Sequence, residues 1–388
     1  MSSSSMPFSV TPQPGQWEGL AWSEEGLQGA AEIVRMSIDG LYPQQLGESV
    51  AREFLACRQD CVLPPGTVAR VQGALVDPVR YLIEEGGARW RPYLIAAAID
   101  ALGGDSTQCG PLLAALEVMH TGSLMVDDLQ DGSVVRRGVA AAHVAFDPAL
   151  VLNAGTAAFF VLDRALRLVM PTDPRTQVSM YQSYMGMLRS AHAGQALDIA
   201  GLRTVMDAAV AGDDGGGVLG AVRLTHTLKS GAPVRCFMEL GAYGCGASTQ
   251  QREALARFGE AIGTAYQITD DVQDLTGVLR SGAPTKQVGE DLRNGKVTMP
   301  LAHAVDLLPQ PDMAELWSQV RQPGTDRETV DRAIKVLTSC GAVHAAAREA
   351  DELVEAAWSG LEPLLPASAA VERLRTLAQE TVRRTRLA

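Results

Sequence analysis

From Glu24 onward apolar residues return every third or fourth position, as in Leu112, Leu113, Leu116 and Met119, so the chain is predicted to bury one stripe on each of many helices. Ala, Leu, Val, Glu and Arg dominate the same stretch. Alternating Val, Ile and Thr runs with Asn-Gly turns are nearly absent, and no glycine-rich loop joins a strand to a helix. The expected fold class is all-α. Breakers at Gly103–Asp105, Gly212–Gly217, Gly277–Pro284 and Gln322–Gly324 read as helix connections rather than interdomain linkers. One domain of roughly ten or more helices is expected over 24–388. Residues 1–23, which begin with a Ser- and Pro-rich stretch and show no basic-then-apolar leader pattern, read as a disordered tail.

One short motif occurs twice. Asp127-Asp128-Leu129-Gln130-Asp131 and Asp270-Asp271-Val272-Gln273-Asp274 share a DDxxD spacing, and each follows a mostly apolar stretch. On a helix, Asp127 and Asp131 lie one turn apart on the same face. Like charges there repel unless a cation, a basic partner or solvent offsets them. Solvent is the weaker answer, because Leu124, Met125 and Val126 before the first motif and Phe258 to Ile268 before the second mark buried helices. Two such motifs, far apart in sequence, are placed to face each other across a bundle core as carboxylate metal sites do. All the ligands are oxygen and no histidine stands at ligand spacing beside them, which points to Mg²⁺ shared with phosphate oxygens rather than to zinc or iron.

Charge narrows the partners. A net charge of -12 argues against non-specific nucleic-acid binding, which depends on neutralising phosphates, and an anionic substrate therefore needs local basic residues. No uninterrupted apolar run is long enough to span a bilayer, so a soluble protein is expected. The six cysteines are scattered, and Cys57 and Cys61 lack a second pair at a zinc-site spacing, so free thiols in a reducing cytoplasm are the expectation.

Further motifs stand around the acidic pair in fixed order. Gly86-Gly87-Ala88-Arg89-Trp90-Arg91-Pro92 comes first, then Arg136-Arg137-Gly138, Gly194-Gln195 with Asp198, Lys229-Ser230, and Tyr266-Gln267. Lys286, Asp291, Gly295-Lys296 and Thr298-Met299-Pro300 complete the series. Together with the two DDxxD motifs these segments resemble the trans-isoprenyl diphosphate synthase family, the polyprenyl synthetases, over Gly86 to Pro300, and are most like geranylgeranyl diphosphate synthases.

The resemblance implies a helical bundle around a central cavity, a homodimer, and small-molecule prenyl diphosphates as ligands. It implies Asp127, Asp131 and Asp270 as Mg²⁺ ligands, three ions in all, with Asp128, Asp271 and Asp274 behind them. By the same transfer Arg136, Lys229, Gln267 and Lys286 hold an allylic diphosphate with Lys296 on the same wall, and Gln195 and Ser230 belong to matching motifs. Arg89, Arg91, His120 and Arg137 would hold the diphosphate of isopentenyl diphosphate. Ala88 departs from the pattern, because the family places a lysine there and alanine offers neither charge nor hydrogen bond. One charge-assisted bond is worth roughly 1.5 to 3 kcal/mol, which Arg89 and Arg91 can partly replace.

The chemistry so implied is ionisation of an allylic diphosphate, attack by the isopentenyl double bond, and proton loss to the departing pyrophosphate, in a cavity that excludes water. Gly122 and Ser123, one turn before the first motif, are small where short-chain members often place aromatics, and this predicts a product beyond fifteen carbons, geranylgeranyl diphosphate. Phe159 and Phe160 are candidates for a deeper floor. Two other readings stay open: a terpene cyclase on the same scaffold, for which Ala88 is tolerable, and a non-catalytic partner subunit, against which both motifs are intact.

Overall fold

The computed structural model describes residues 24–382 except 59, 87–88, 170–172, 213–215, 278, 281–282 and 285–287, with backbone alone at 24–31, 216, 279–280 and 283–284. The expected N-terminal tail, Ala88, Lys286 and the arginines of 383–386 lie outside the described residues. Helices carry nearly all the regular structure, and two short hairpins are the only strands among the described residues, so the chain is all-α as its apolar spacing predicts. These residues pack into two compact units, one running to Asp100 and on from Gly104 to 169, the other chiefly over 173–382.

In the first unit the helices of eight residues or more are α1 (Glu24–Leu41), α2 (Asp77–Glu84), α3 (Trp90–Ala101), α4 (Gly110–Asp131), α5 (Pro148–Ala158) and α6 (Val161–Val169). Helix α4 is the central one, packed on α1, α2, α5 and α6. Leu112, Leu113, Leu116, Val118, Met119 and Met125 on it are buried, each large side chain contributing about 1.5–3 kcal/mol of transfer free energy. Two helical stretches here, Ser106–Asp131 and Pro148–Val169, are apolar and long enough to cross a membrane by length and composition. The first has 67% of its most apolar window buried inside the protein, the mark of a core helix. The sequence expectation of no such run differs because Glu117 and His120 interrupt the apolar residues of α4.

In the second unit follow α7 (Pro174–Ala200), α8 (Arg203–Val210), α9 (Gly216–His226), α10 (Ala232–Gly244), α11 (Thr249–Thr276), α12 (Met299–Leu307), α13 (Gln310–Val320), α14 (Arg327–Ser339), α15 (Ala342–Leu361) and α16 (Ala369–Val382). A π-helical turn, Thr227–Gly231, joins α9 to α10. Helix α11 is central, lying against α10, α15, α16 and the π turn. It starts at a capping box, in which Ser248 accepts from Gln251 N and the Gln251 side chain accepts from Ser248 N, satisfying two end amides at once.

Candidate active site

The first acidic motif ends α4. Gly132 adopts φ +67, a conformation open to a residue without Cβ, and stops the helix directly after Asp131. Asp127, Asp128 and Asp131 therefore crowd into the last turns of α4, where the helix dipole is negative and no basic residue occupies the final turn. Asp128 is wholly buried and accepts from Arg136 Nε at 2.9 and 3.1 Å, whereas Asp127 is half-buried and Asp131 exposed. Burial works against the charge of Arg136, but Asp128, with Asp127 and Asp131 nearby, outweighs it and raises the guanidinium pKa.

Arg136 and Arg137 sit on a hairpin that the sequence pattern did not signal. Val135–Arg136 pairs antiparallel with Val139–Ala140, and the turn residues Arg137 and Gly138 have φ +55 and +86. Two-residue hairpins favour positive φ at both positions, and an arginine there costs about 1 kcal/mol or more. The strained residue turns back into the protein: Arg137 donates to Leu82 O at 2.6 Å and to Glu117 at 3.1 Å. Arg89, also at positive φ (+43), donates to Ile83 O at 3.0 Å, so two arginines cap consecutive carbonyls at the end of α2. The Arg89 Nε is buried with no hydrogen-bond partner, a donor suited to an anion.

Arg91 donates to His120 Nε2 at 3.1 Å. Because a guanidinium only donates, that nitrogen must accept, and the ring proton is assigned to Nδ1. Burial, then Arg91, Arg137 and Arg136, hold the His120 pKa well below its usual value, so it is a neutral orienter of Arg91. Arg89, Arg91, His120 and Arg137 thus come together within the first unit. Glu117, which buries its charge against Arg137 with 2% exposure, was missed in the sequence; an acid within an apolar stripe, three residues before His120, was the available signal.

The second motif lies in the last turns of α11, again without a basic residue in the final turn. Asp271 is buried and accepts from Met299 N at 2.8 Å while pairing with His226 Nε2 at 2.9 Å. Asp274 is buried and accepts from the amides of Glu290 and Asp291 at 3.2 and 3.3 Å. Asp270 is only half-buried. Lys229 and Lys296 converge on Asp198, at 2.6 and 3.1 Å. Burial opposes both charges of the Lys296–Asp198 pair, yet Asp291, Asp198 and Asp271 raise the Lys296 pKa, while Lys296 and Lys229 lower that of Asp198. Ser230 donates to Gln267 Oε1 at 2.9 Å, and Gln195 is half-buried on α7, one turn before Asp198. Asp198 and His226 had no role in the sequence reading. Their signals were an acid four residues after Gly194 and a histidine one turn before Lys229.

No group of three or more His, Cys, Asp or Glu preassembled for a metal occurs among the described residues. The donors fit Mg²⁺ nonetheless. Asp128, Asp271 and Asp274 already accept from the protein, while Asp127, Asp131 and Asp270 are less enclosed, and Mg²⁺ characteristically completes its shell with water and phosphate oxygens. Gly122 serves packing rather than an open channel: a Cβ on it would stand 2.6 Å from both Gly155 O and Ala158 Cβ of α5. Ser123 is half-buried, its hydroxyl donating to His120 O, and Phe160 is 63% exposed.

Comparison with known proteins follows the same line. The family model described as polyprenyl synthetase matches residues 72–337. The chain is 28% identical to the octaprenyl diphosphate synthase of Haemophilus influenzae, over 78% of this chain and 86% of that protein. It is 30% identical to the short chain isoprenyl diphosphate synthase of Methanothermobacter thermautotrophicus, over 80% and 90%. Among solved structures, a geranylgeranyl pyrophosphate synthetase from Pyrococcus horikoshii superposes with a TM-score of 0.74 at 23% identity, covering 92% of this chain and 97% of that one. The geranylgeranyl pyrophosphate synthase of Corynebacterium glutamicum, solved with isoprenyl diphosphate and magnesium, gives 0.73 at 23%, covering 92% and 99%.

Proposed function

The chain belongs to the polyprenyl synthetase family, and from that premise we propose that it condenses farnesyl diphosphate with isopentenyl diphosphate to geranylgeranyl diphosphate. At the coarser level it is a trans-prenyl diphosphate synthase, a transferase. The observation that carries the reading is the pairing of two acidic helix ends with separate sets of basic residues, one set beside each motif.

Asp127, Asp131 and Asp270 would hold Mg²⁺, three ions in our reading, with Asp128, Asp271 and Asp274 fixing the backbone and charges behind them. Bound Mg²⁺ supplies Lewis-acid stabilisation of the leaving diphosphate. Lys229, Lys296 and Gln267, with Arg136 and Lys286, bind and orient the allylic diphosphate. Asp198 holds the two lysine ammonium groups together. Arg89, Arg91 and Arg137 bind the second diphosphate, with Arg91 aimed by His120. The allylic C–O bond breaks first, its electron pair leaving with pyrophosphate; the isopentenyl double bond then forms the C4–C1 bond, and the proton lost from the isopentenyl unit goes to the departing pyrophosphate, so no side-chain base is required.

The small Ser123, one turn before Asp127, supports a product of twenty carbons, while relatives named for farnesyl, geranylgeranyl and octaprenyl products frame the choice. Cytoplasmic location and a homodimer belong to the same proposal. Chromatography of the dephosphorylated products made from farnesyl diphosphate, isopentenyl diphosphate and Mg²⁺ tests it. A single C20 alcohol is expected, and a ladder of longer alcohols would remove the chain-length assignment. Ala88 favours the second reading, a cyclase, which predicts hydrocarbon from the allylic diphosphate alone.

A further inference from the structure

A π turn adds a residue to a helix at a cost in hydrogen-bond geometry, so its persistence at Thr227–Gly231 implies that something holds it. Its backbone is clasped from two sides. On α7, a Cβ at Gly194 would fall inside van der Waals contact of Lys229 N and only 2.8 Å from Leu228 C and Lys229 Cα. On α11, a Cβ at Gly263 would collide with Ser230 O and stand 2.8 Å from Gly231 Cα. These neighbours are backbone and cannot rotate aside.

The same two helices hold the turn's side chains. Asp198 lies four residues after Gly194 and binds Lys229 Nζ at 2.6 Å; Gln267 lies four residues after Gly263 and accepts from Ser230 Oγ at 2.9 Å. Residues four apart share a helix face, so each helix offers a bare glycine to the backbone and, one turn later, a polar group to the side chain. Lys229 and Ser230 are adjacent in sequence, yet they reach two different helices. An uninterrupted α-helix would turn successive side chains about 100° apart in a register that the extra residue of the π turn changes.

We propose that Gly194 and Gly263, each paired with a polar residue four positions on, form a two-sided seat that fixes the π turn and thereby positions Lys229 and Ser230 for the allylic diphosphate. The glycines are positioning residues that act through the turn and touch no substrate. The inference rests on the assignment of Lys229 to the diphosphate made above.

A double-mutant cycle tests it. Affinity for inorganic pyrophosphate with Mg²⁺ by calorimetry, together with KM and kcat for the allylic diphosphate, is measured for Gly194→Ala, Lys229→Ala and the double variant. Gly186→Ala on the same helix, where a Cβ meets nothing within 4 Å, is the control and should match the parent. Lys229→Ala is expected to weaken pyrophosphate binding about tenfold to a hundredfold. Gly194→Ala should do the same, and the double variant should be no weaker than Lys229→Ala alone. Full additivity, or parental affinity in Gly194→Ala beside a weakened Lys229→Ala, overturns the seat. Parental affinity in Lys229→Ala instead overturns the diphosphate assignment, and the seat's purpose with it. If Gly194→Ala does not fold, deletion of Thr227, which restores an α-helical register, takes its place in the cycle with the same expected and overturning outcomes.

Discussion

The six aspartates divide by how deeply they are buried. Asp127, Asp131 and Asp270 sit less enclosed at negative helix ends, so their replacement by alanine removes repulsion as well as function. Asp127→Ala and Asp270→Ala are expected to lower kcat/KM by about a hundredfold to a thousandfold without lowering the melting temperature. Asp128→Ala and Asp271→Ala should instead lose activity about tenfold to a hundredfold and also lose about 1–3 kcal/mol of stability, because Arg136, His226 and Met299 N lose their acceptors. Denaturant titration beside steady-state kinetics separates the two classes, and equal stability losses in both would refute the division. His120 is neutral and aims Arg91, so His120→Gln should keep more isopentenyl diphosphate affinity than His120→Ala, which a KM comparison checks.

Helix packing decides how sequence positions near the motif should be read. Gly122 and Ser123 look equivalent in the sequence, both small and both one turn before Asp127. In the structure Gly122 is the point where α4 crosses α5, and Ser123 is left on the side of α4 that carries His120 and Asp127. Ser123→Phe is therefore predicted to shorten the product to fifteen carbons with the fold intact, whereas Gly122→Phe should fail to fold or melt far lower; product chromatography and circular dichroism distinguish them. The helices themselves and both acidic motifs were legible because apolar period and charge repulsion are local properties. The hairpin at Arg136–Val139 was not, since its turn uses an arginine at positive φ where Asn-Gly would have announced it. Nor were Asp198, Glu117 and His226 as partners, because each bond joins residues 20 to 98 positions apart.

Beyond the site, the second unit is tied by a charge cluster in which Glu349 of α15 accepts from Arg223 of α9 and, at 2.8 Å, from His303 of α12. Burial opposes its charge, but those hydrogen bonds prevail and hold Glu349 at about 2, below the ordinary 4.5. A carboxyl depressed in the folded state adds stability above its unfolded pKa and loses it as pH falls through the folded value, so this contribution is full above about pH 4.5 and gone near pH 2. Glu349→Gln should cost about 1–3 kcal/mol at pH 7, with the gap to the parent closing across that window in urea titrations. The catalytic claim is that ionisation serves chain elongation, despite Ala88. It is tested most directly by following pyrophosphate release from farnesyl diphosphate and Mg²⁺ as isopentenyl diphosphate is titrated in. The account predicts release in equal amount to the isopentenyl units incorporated, none above background without them, and loss of both in Asp127→Ala and Asp270→Ala. Pyrophosphate released at full rate in the absence of isopentenyl diphosphate, with hydrocarbon accumulating, would contradict it.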